Sequence, residues 1–307
     1  TPKPSSAASD VYKRQIKETI MENWPNTQTK INFVIMGFLT ILFFAPVFAD
    51  DNAEEVLESV TIIGSAKDLK TLPGSGQIIS NDDLLNAMDT DIQKILTAVP
   101  GVYMRTEEGY GLRPNISIRG TAIERSAKVA IMEDGVLVAP SPYTSSSAYY
   151  FPTAGRIHSV EVLKGPAAVT QGPQTIGGAI NLISTPIPNA PSGKFVQELG
   201  ENGMIRTHAY YGLTSGNFGA LVEVHEHESD GFDSIANVGG DTGFDKSDLM
   251  FKARYESGAH SLTFKMVDLD ETSNQSYVGL SQASFNANPR QRYGAVSYTH
   301  LTLPTKA

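Results

Sequence analysis

Three polar residues alternate along one predicted strand in a pattern that could bind a metal. Glu223, His225 and His227 are two positions apart, so their side chains lie on the same face of an extended chain. Imidazole and carboxylate groups together suit a transition metal. The same alternation also describes ordinary polar residues on one face of a sheet, and no two of the six histidines have the HExxH spacing. We predict no metal site.

A second candidate for chemistry is the glycine-rich stretch VEVLKGPAAVTQGPQTIGGAINLIST at 160–185. A phosphate-binding loop would need Gly-Lys-Ser or Gly-Lys-Thr after its second glycine, whereas Gly172 is followed by Pro-Gln. The apolar runs at both ends instead predict two strands joined by a compact connection. The sequence contains no evident arrangement of nucleophile and base, so we predict that the protein is not an enzyme.

The composition and the N-terminal region of the sequence predict an acidic, exported protein. Its 307 residues carry a formal net charge of -9, which argues against nucleic acid as a partner. The absence of cysteine excludes disulfides and thiolate metal sites. A lysine, an apolar run and small residues at its end predict a signal peptide over residues 21–49, cleaved after Ala49. One transmembrane helix is the alternative interpretation of this run.

Both ends of the chain look foreign to the rest. The stretches TPKPSSAASDVYKRQ and VSYTHLTLPTKA resemble translated sequencing-adapter read-through, as seen at the ends of reading frames from assembled metagenomes. We predict that residues 1–20 and 296–307 are non-native, and we exclude them from fold reasoning. Disordered tails are the alternative.

After the predicted cleavage site an acidic leader precedes the β-branched run SVTIIG at 59–64. Its composition favours an extended strand. Beside a mobile leader, such a strand is available to pair with the sheet edge of another protein. An ordinary first strand of the following domain is the alternative.

The next region has the signals of a mixed α+β domain. A capping box at Ser80 and Asp83, an apolar stripe over 92–99 and a stop at Pro100-Gly101 predict a helical region, with a second cap at Thr90. Strand-like pieces follow, and the Asp134-Gly135 pair between two apolar runs is a strong hairpin signal.

From residue 189 onwards the chain consists of alternating strands. Leu249, Phe251 and Ala253 share one face of such a segment, whereas Met250 and Lys252 share the other. The connections also alternate between tight turns and long polar loops, which is the pattern of an outer-membrane β-barrel. A soluble antiparallel sandwich alternates in the same way and is the alternative.

These segments together resemble the TonB-dependent outer-membrane receptors, near the ferric-citrate receptor branch. The matching stretches are SVTIIG, ILTAVPGVYMR, GLRPNISIRG, MEDGVLVAPSPY, SAYYFP, the glycine-rich stretch and SYVGLSQASFNANPRQRY. The resemblance implies an α+β plug domain at 65–188, folded inside an antiparallel transmembrane barrel of about 22 strands. Residues 189–295 would supply only the first strands of that barrel, so the barrel is truncated here.

The resemblance also implies roles for individual residues. A TonB box, at the end of the leader 50–64, would be gripped by strand addition; it comprises Glu58, Ser59, Val60, Thr61, Ile62 and Ile63. Two plug cations would form a latch with barrel glutamates beyond residue 295; they are Arg119 and Lys164. Cationic and phenolic side chains in outward plug loops are candidates for binding an anionic chelate; they are Arg113, Arg125, Tyr143, Tyr149 and Tyr150.

The function that the resemblance implies is active uptake of a ferric chelate or siderophore across the outer membrane of a Gram-negative bacterium. Its partners would be TonB of the inner-membrane energy-transducing complex, the ligand and outer-membrane lipid. No cofactor is expected, since iron enters only as part of the transported chelate. The alternatives are an exported binding or adhesion β-protein without transport activity, and an exported metal enzyme that uses the Glu223–His227 strand face.

Overall fold

The structure is a computed structural model. It describes residues 61–63, 68–70, 72, 74–87, 91–105, 110–138, 151–232, 241–258, 260–274, 283, 287 and 291–302. The chain divides into two units, 1–48 and 49–307, and the described residues all lie in the second. The predicted signal peptide lies outside these ranges. Of the helices that are described, none combines the length and apolarity needed to cross a membrane.

The first part of the described chain is an α+β domain. In chain order it contains β1 (Ser75–Ile79), α1 (Asn81–Ala87), α2 (Ile92–Thr97), β2 (Val102–Arg105), β3 (Asn115–Ile118), β4 (Val129–Glu133), β5 (Val136–Leu137), β6 (Ile157–Lys164) and β7 (Gly178–Ser184). Short 3₁₀ turns lie at Asp68–Lys70, Glu124–Ser126, Ala154–Arg156 and Pro166–Gln171. Five strands form one sheet in the order β1-β6-β7-β4-β5, and β2 pairs with β3. Within that sheet β4 and β7 are parallel and the other neighbours are antiparallel.

The two helices of the domain begin at N-terminal caps that the sequence predicts, with one correction. Ser80 and Asp83 form the predicted capping box, in which each backbone N–H donates to the side chain of the other residue. The second cap is Asp91 and not Thr90: the Asp91 carboxylate accepts a hydrogen bond of 2.7 Å from the Gln93 N–H. A carboxylate at this position satisfies an N–H group that the first helical turn leaves unpaired.

The glycine-rich stretch forms two adjacent strands, as predicted. Strands β6 and β7 are antiparallel neighbours, with Val160 opposite Leu182, and a 3₁₀ turn joins them. Gly178 has a φ of +151°, and a Cβ at this position would lie 2.4 Å from the Leu163 carbonyl oxygen. The sequence needs glycine here because the backbone of one strand approaches the other too closely for a side chain.

The sheet of this domain has an apolar cluster on each face. On one face it packs against α2, whose apolar stripe is buried; this cluster includes Ile92, Ile95, Leu96, Val99, Val129, Ile131, Ile180 and Leu182. On the other face lies a smaller cluster that includes Ile63, Ala130, Met132, Leu163 and Ala179. Because alternate residues of β4 point into the two clusters, the sheet is a central layer with apolar packing on both sides.

The second part is a single antiparallel sheet, called here the wall. Its strands are β8 (Ser192–Leu199), β9 (Ile205–Ser215), β10 (Phe218–Ser229), β11 (Phe244–Ser257), β12 (His260–Ser273) and β13 (Gln291–Thr302). They pair in sequence order. The connections β9–β10 and β11–β12 are two residues long and lie at one rim. At the other rim lie the five-residue connection β8–β9 and the longer connections β10–β11 and β12–β13. This is the predicted alternation of tight turns and long loops.

The two faces of the wall have opposite character. Toward the α+β domain the wall buries polar and charged side chains, among them Glu223, Asp248, Lys252 and Lys265. The alternate positions, which include Leu249, Phe251 and Phe264, retain some exposure. Large apolar side chains on that face are among the most exposed of the described residues: Phe195 at 64% and Tyr255 at 51%. This polarity is the reverse of a soluble sandwich, in which apolar side chains face inward.

The last strand crosses the predicted boundary at residue 295. Strand β13 pairs with β12 over Thr263–Ser273, with an irregularity between Leu269 and Glu271. Residues 296–302 therefore continue the wall in register with their neighbour. The prediction that residues 296–307 are non-native concerns the origin of these residues, and it stays a prediction.

Candidate functional site

A cluster of buried charges joins the α+β domain to the wall. The interface cluster, as we call it, has three members from the domain, Glu133, Asp134 and Arg156, and three from the wall, Asp248, Lys252 and Lys265. Five of them are buried, and Arg156, Asp248 and Lys252 are each only 1% exposed. A buried charge costs several kcal/mol unless it is paired, so each member depends on its partners.

The two wall lysines share the acids at the end of β4. The Lys265 ammonium group lies 2.5 Å from a Glu133 carboxylate oxygen, donates to Asp134 and reaches the Ser184 hydroxyl at 2.9 Å. Lys252 donates to the Thr185 carbonyl at 2.9 Å and lies 3.6 Å from Asp134. These contacts bring Lys252 and Lys265 onto one corner of the domain.

Strand register explains why the acids are needed at this point. Lys252 and Lys265 are directly opposite each other on β11 and β12, and like charges in this position repel. Asp134 lies between them at the tight turn after β4, where its φ is +49° and where Asp is well tolerated. The Ser184 hydroxyl donates to Asp134 at 2.6 Å, which fixes the direction of the carboxylate.

Arg156 connects the same corner to a second position on β11. Its Nε donates to Asp248 Oδ2 at 2.8 Å, and its terminal nitrogens donate to Glu133. The Thr153 hydroxyl donates to the same Asp248 oxygen at 2.5 Å. The planar guanidinium therefore bridges one carboxylate of the domain and one of the wall.

The surrounding cations keep the two acids of the domain ionised. Burial opposes ionisation of Glu133, but Arg156 and Lys265 outweigh it and lower the pKa of its carboxyl to about 2. Burial likewise opposes ionisation of Asp134, and Lys252 and Lys265 together hold the pKa of this carboxyl below its ordinary value. Both carboxylates of the domain are therefore ionised at neutral pH.

The predicted latch residues lie elsewhere in the domain. Lys164 donates to the Pro100 carbonyl at 2.9 Å, and an Arg119 terminal nitrogen lies 3.3 Å from the Ser75 hydroxyl. Burial, and then the nearby Arg119, lower the pKa of Lys164. The barrel glutamates expected to pair with these two cations would lie beyond residue 295, so the latch stays a prediction.

The interface cluster was not predicted from the sequence, although a signal for it was present. Alternation in β11 and β12 already placed Lys252 and Lys265 on the polar face, and inward lysines need acids opposite them. The Asp-Gly turn after β4 offered such acids, but sequence alone does not show which end of β4 meets the wall.

The predicted ligand residues are divided between the rim of the wall and the body of the domain. Arg113 is buried: it donates to the Ser273 hydroxyl at 2.7 Å and lies 3.7 Å from Glu271, at the rim with the long connections. Arg125 is partly buried, with a φ of +51°, and its N–H donates to Asn115 at 2.7 Å. Tyr143, Tyr149 and Tyr150 lie outside the described residues. Ligand contact stays a prediction for all five.

Tyr110 joins Arg113 in docking the same loop onto the rim. Its ring centroid lies 4.5 Å from that of Phe244 and 5.6 Å from that of Phe232, and its hydroxyl lies 3.3 Å from Ser229. This tyrosine is not among the predicted ligand residues. The loop 110–113 thus contacts the wall beside its long connections.

The histidine-bearing strand face points toward the domain. His208 Nε2 lies 2.6 Å from Glu223, and His225 packs against Gly155, where an added Cβ would meet its ring nitrogen at 2.3 Å. The ring centroids of His225 and His227 are 6.2 Å apart. Among the described residues, no group of three or more His, Cys, Asp or Glu side chains is arranged to hold a metal. The prediction that the chain has no metal site stays a prediction.

The end of the predicted TonB box contacts the sheet of the domain. Glu58, Ser59 and Val60 lie outside the described residues, and Thr61–Ile63 form no strand. The alternative, a first strand of the domain itself, is therefore wrong for these three residues, because the N–H groups of Ile62 and Ile63 donate instead to the Glu161 carboxylate, at 2.7 and 3.1 Å. Strand addition to a partner protein stays a prediction.

Comparisons with known proteins agree with this architecture. Residues 68–179 match the family model of the TonB-dependent Receptor Plug Domain. Over 154 residues the chain is 32% identical to an iron-regulated outer membrane virulence protein of Vibrio cholerae serotype O1, covering 48% of this chain and 22% of that protein. It is 25% identical over 235 residues to the vitamin B12 transporter BtuB of Photobacterium profundum, covering 69% and 37%. The chain thus spans about a fifth to about a third of these curated relatives.

Solved structures with the same fold include two receptors. The unliganded ferric citrate transporter FecA matches with a TM-score of 0.58 at 21% identity, over 74% of this chain and 35% of that one. The siderophore receptor PirA from Acinetobacter baumannii matches with a TM-score of 0.53 at 20% identity, over 71% and 34%. At these identities the likeness concerns the fold.

Proposed function

The chain carries the plug domain of a TonB-dependent receptor, followed by wall strands of its barrel, and from this premise we propose active uptake of a ferric chelate or siderophore across the outer membrane. The α+β domain is the plug, and its place is the outer membrane of a Gram-negative bacterium. The observation that carries the proposal is the interface cluster, through which the plug docks by ion pairs onto the charged inner face of the wall.

The polarity of the wall supports transport and argues against a soluble adhesion domain. Its outer face presents apolar and aromatic side chains such as Phe195, Phe218 and Tyr255, which suit lipid. Its inner face carries charges that need ion-pair partners and water. A soluble binding protein would have the reverse arrangement.

The energy for uptake has to come from outside this membrane, which has neither ATP nor an ion gradient. TonB is the proposed source, and it grips the N-terminal segment by adding a strand through backbone hydrogen bonds. Iron is the proposed cargo because iron, ferric citrate and siderophores recur in the names of the similar proteins. The outward site would use the loop 110–113 at the long-connection rim.

Uptake of radioactive iron tests this proposal. The complete reading frame would be expressed in a Gram-negative host that lacks its own ferric-chelate receptors, with and without a functional tonB gene. We expect accumulation of iron from at least one of ferric citrate, a hydroxamate chelate and a catecholate chelate, and only where TonB is present. Uptake of iron that is equal with and without TonB would overturn the proposal.

A negative result with all three iron chelates would also count against iron as the cargo. Radiolabelled vitamin B12 serves as the comparison substrate, since one similar protein is named as its transporter. TonB-dependent uptake of vitamin B12 without uptake of iron would support a TonB-dependent receptor but would show that its ligand is not a ferric chelate.

A further inference from the structure

We propose that the Glu161 carboxylate is an anchor that holds residues Thr61–Ile63 on the plug and thereby sets how readily this segment is captured by a strand-adding partner. The inference rests on the proposed function, in which this segment is part of the point where TonB pulls. It adds a regulating residue, which lies far from the segment in sequence and close to it in the fold.

The anchor is built into the middle of the plug sheet. Glu161 is the central residue of three strands in register, opposite Ile78 on β1 and Asn181 on β7. It is 1% exposed, and the Asn181 amide donates to one of its oxygens at 2.9 Å. This side-chain contact orients the carboxylate toward the chain that crosses the sheet.

Both carboxylate oxygens are used by the segment. One accepts from the Ile62 N–H at 2.7 Å and the other from the Ile63 N–H at 3.1 Å. Hydrogen bonds to an ionised acceptor are stronger than those between neutral groups. The Ile63 side chain is 6% exposed and packs into the apolar cluster with Met132 and Leu163.

No cation of the described part of the chain forms an ion pair with Glu161. The two N–H groups of the segment and the Asn181 amide are therefore its main compensation for burial. If the segment left, a buried carboxylate would lose two of these donors, which is costly beside the apolar cluster that contains Met132 and Leu163. The docked state is favoured by this penalty as well as by the bonds themselves.

Docking and capture compete for the same backbone. Strand addition needs N–H groups of the segment to bond with the partner strand, and two of them are held by Glu161 in the docked state. The apparent affinity for a partner is proportional to the fraction of molecules whose segment is released. A weaker anchor should therefore raise this affinity without any change in the partner-binding sequence itself.

Backbone amide hydrogen exchange in the complete receptor tests the anchor directly. The variants are Glu161→Gln, which keeps the shape but removes the charge, and Glu161→Asp, which keeps the charge but shortens the reach. Glu124→Gln makes the same charge change at an exposed position of the plug and serves as the control. A free peptide with the sequence of the segment gives the unprotected exchange rate.

We expect the wild-type amides of Ile62 and Ile63 to exchange more slowly than those of the peptide. In both Glu161 variants we expect them to exchange about tenfold faster than in the wild type, with Glu124→Gln unchanged. Wild-type exchange at the peptide rate would overturn the inference even if neither variant folds. Wild-type rates in both folded variants would overturn it as well.

Binding of the periplasmic domain of TonB to the same proteins separates the inference from the proposed function. We expect Glu161→Gln to bind this domain about tenfold more tightly than the wild type does. Equal affinities would overturn the competition between docking and capture. If amide exchange is faster in the variants but neither the wild type nor any variant binds TonB, the result would support the anchoring of the segment by Glu161 and would count against the proposed function.

Discussion

The core of the plug and its contact with the wall are held by opposite kinds of interaction. The core packs apolar side chains such as Leu96, Ile180 and Leu182 on the faces of one sheet, and each of these is fully buried. The contact with the wall includes a cluster of buried ion pairs, which centre on Arg156 and Lys265. The first region gains stability from removing apolar surface from water, and the second gains it from pairing charges.

The difference suggests which contact is able to open. Separating the plug from the wall at the interface cluster exposes charged groups that water solvates well, whereas opening the core would expose apolar surface. Charged partners also fix one docked position, because each buried charge is costly without its partner. A plug that is intact but movable needs this combination.

The largest expected effect is at the interface. Arg156→Met leaves Glu133 and Asp248 buried without the guanidinium that bridges them. We expect a loss of about 3–5 kcal/mol in the free energy that docks the plug. Urea-dependent proteolysis of the plug in the complete receptor measures this, with exposed Lys128→Met as the charge-matched control. A loss no greater than that of the control would contradict the structure.

A core substitution should be nearly as costly but insensitive to charge. Leu182→Ala removes a side chain that is 0% exposed, and we expect about 2–5 kcal/mol of destabilisation of the plug. The same proteolysis experiment measures it at several salt concentrations. Because the lost contacts are apolar, the effect should not diminish as salt is raised, and a strong decrease would break the distinction between the two regions.

Acid should act on the interface before it acts on the core. Glu133 has its pKa lowered from 4.5 to about 2, so its contribution to stability is fully present above about pH 4.5 and is lost as pH falls to about 2. We expect the wild-type plug to become easier to release through this window. The increase in plug release with falling pH should be less steep in Glu133→Gln than in the wild type. An identical pH dependence of release in the two proteins would contradict the role of Glu133 in the interface cluster.

The smallest expected effect is at the surface of the plug, where neither kind of burial operates. Ser80→Ala removes one half of the exposed capping box of α1, and we expect a loss of about 1 kcal/mol. Thermal unfolding measures it, with Ser80→Asn, another good cap, as the control. A loss as large as that of Leu182→Ala would mean that the cap, and not the core, dominates this region.

Local signals in the sequence predicted the elements well. The capping box at Ser80, the hairpin at Asp134 and the alternation of β11 each depend on residues close together in the chain, and each is present in the structure. The second cap was displaced by one residue to Asp91 because two adjacent residues were suitable. Such signals need no knowledge of tertiary contacts.

The contacts that define the site could not be predicted in the same way. Arg156 and Asp248 are separated by 92 positions, and Ile63 and Glu161 by 98, so no local pattern pairs them. Arg113 was predicted as a ligand residue from its charge, and the structure places it in contact with the wall at Ser273. Which charges meet depends on how the plug is oriented within the wall.

A double-mutant cycle on Arg156 and Asp248 tests the central claim most directly, that paired buried charges hold the plug to the wall. The complete receptor would carry Arg156→Met, Asp248→Leu or both, and the docking free energy would be measured by urea-dependent proteolysis. We predict that the double variant loses less than the two single variants together, by about 2 kcal/mol or more, because it leaves neither charge unpaired. Losses that simply add would contradict the account.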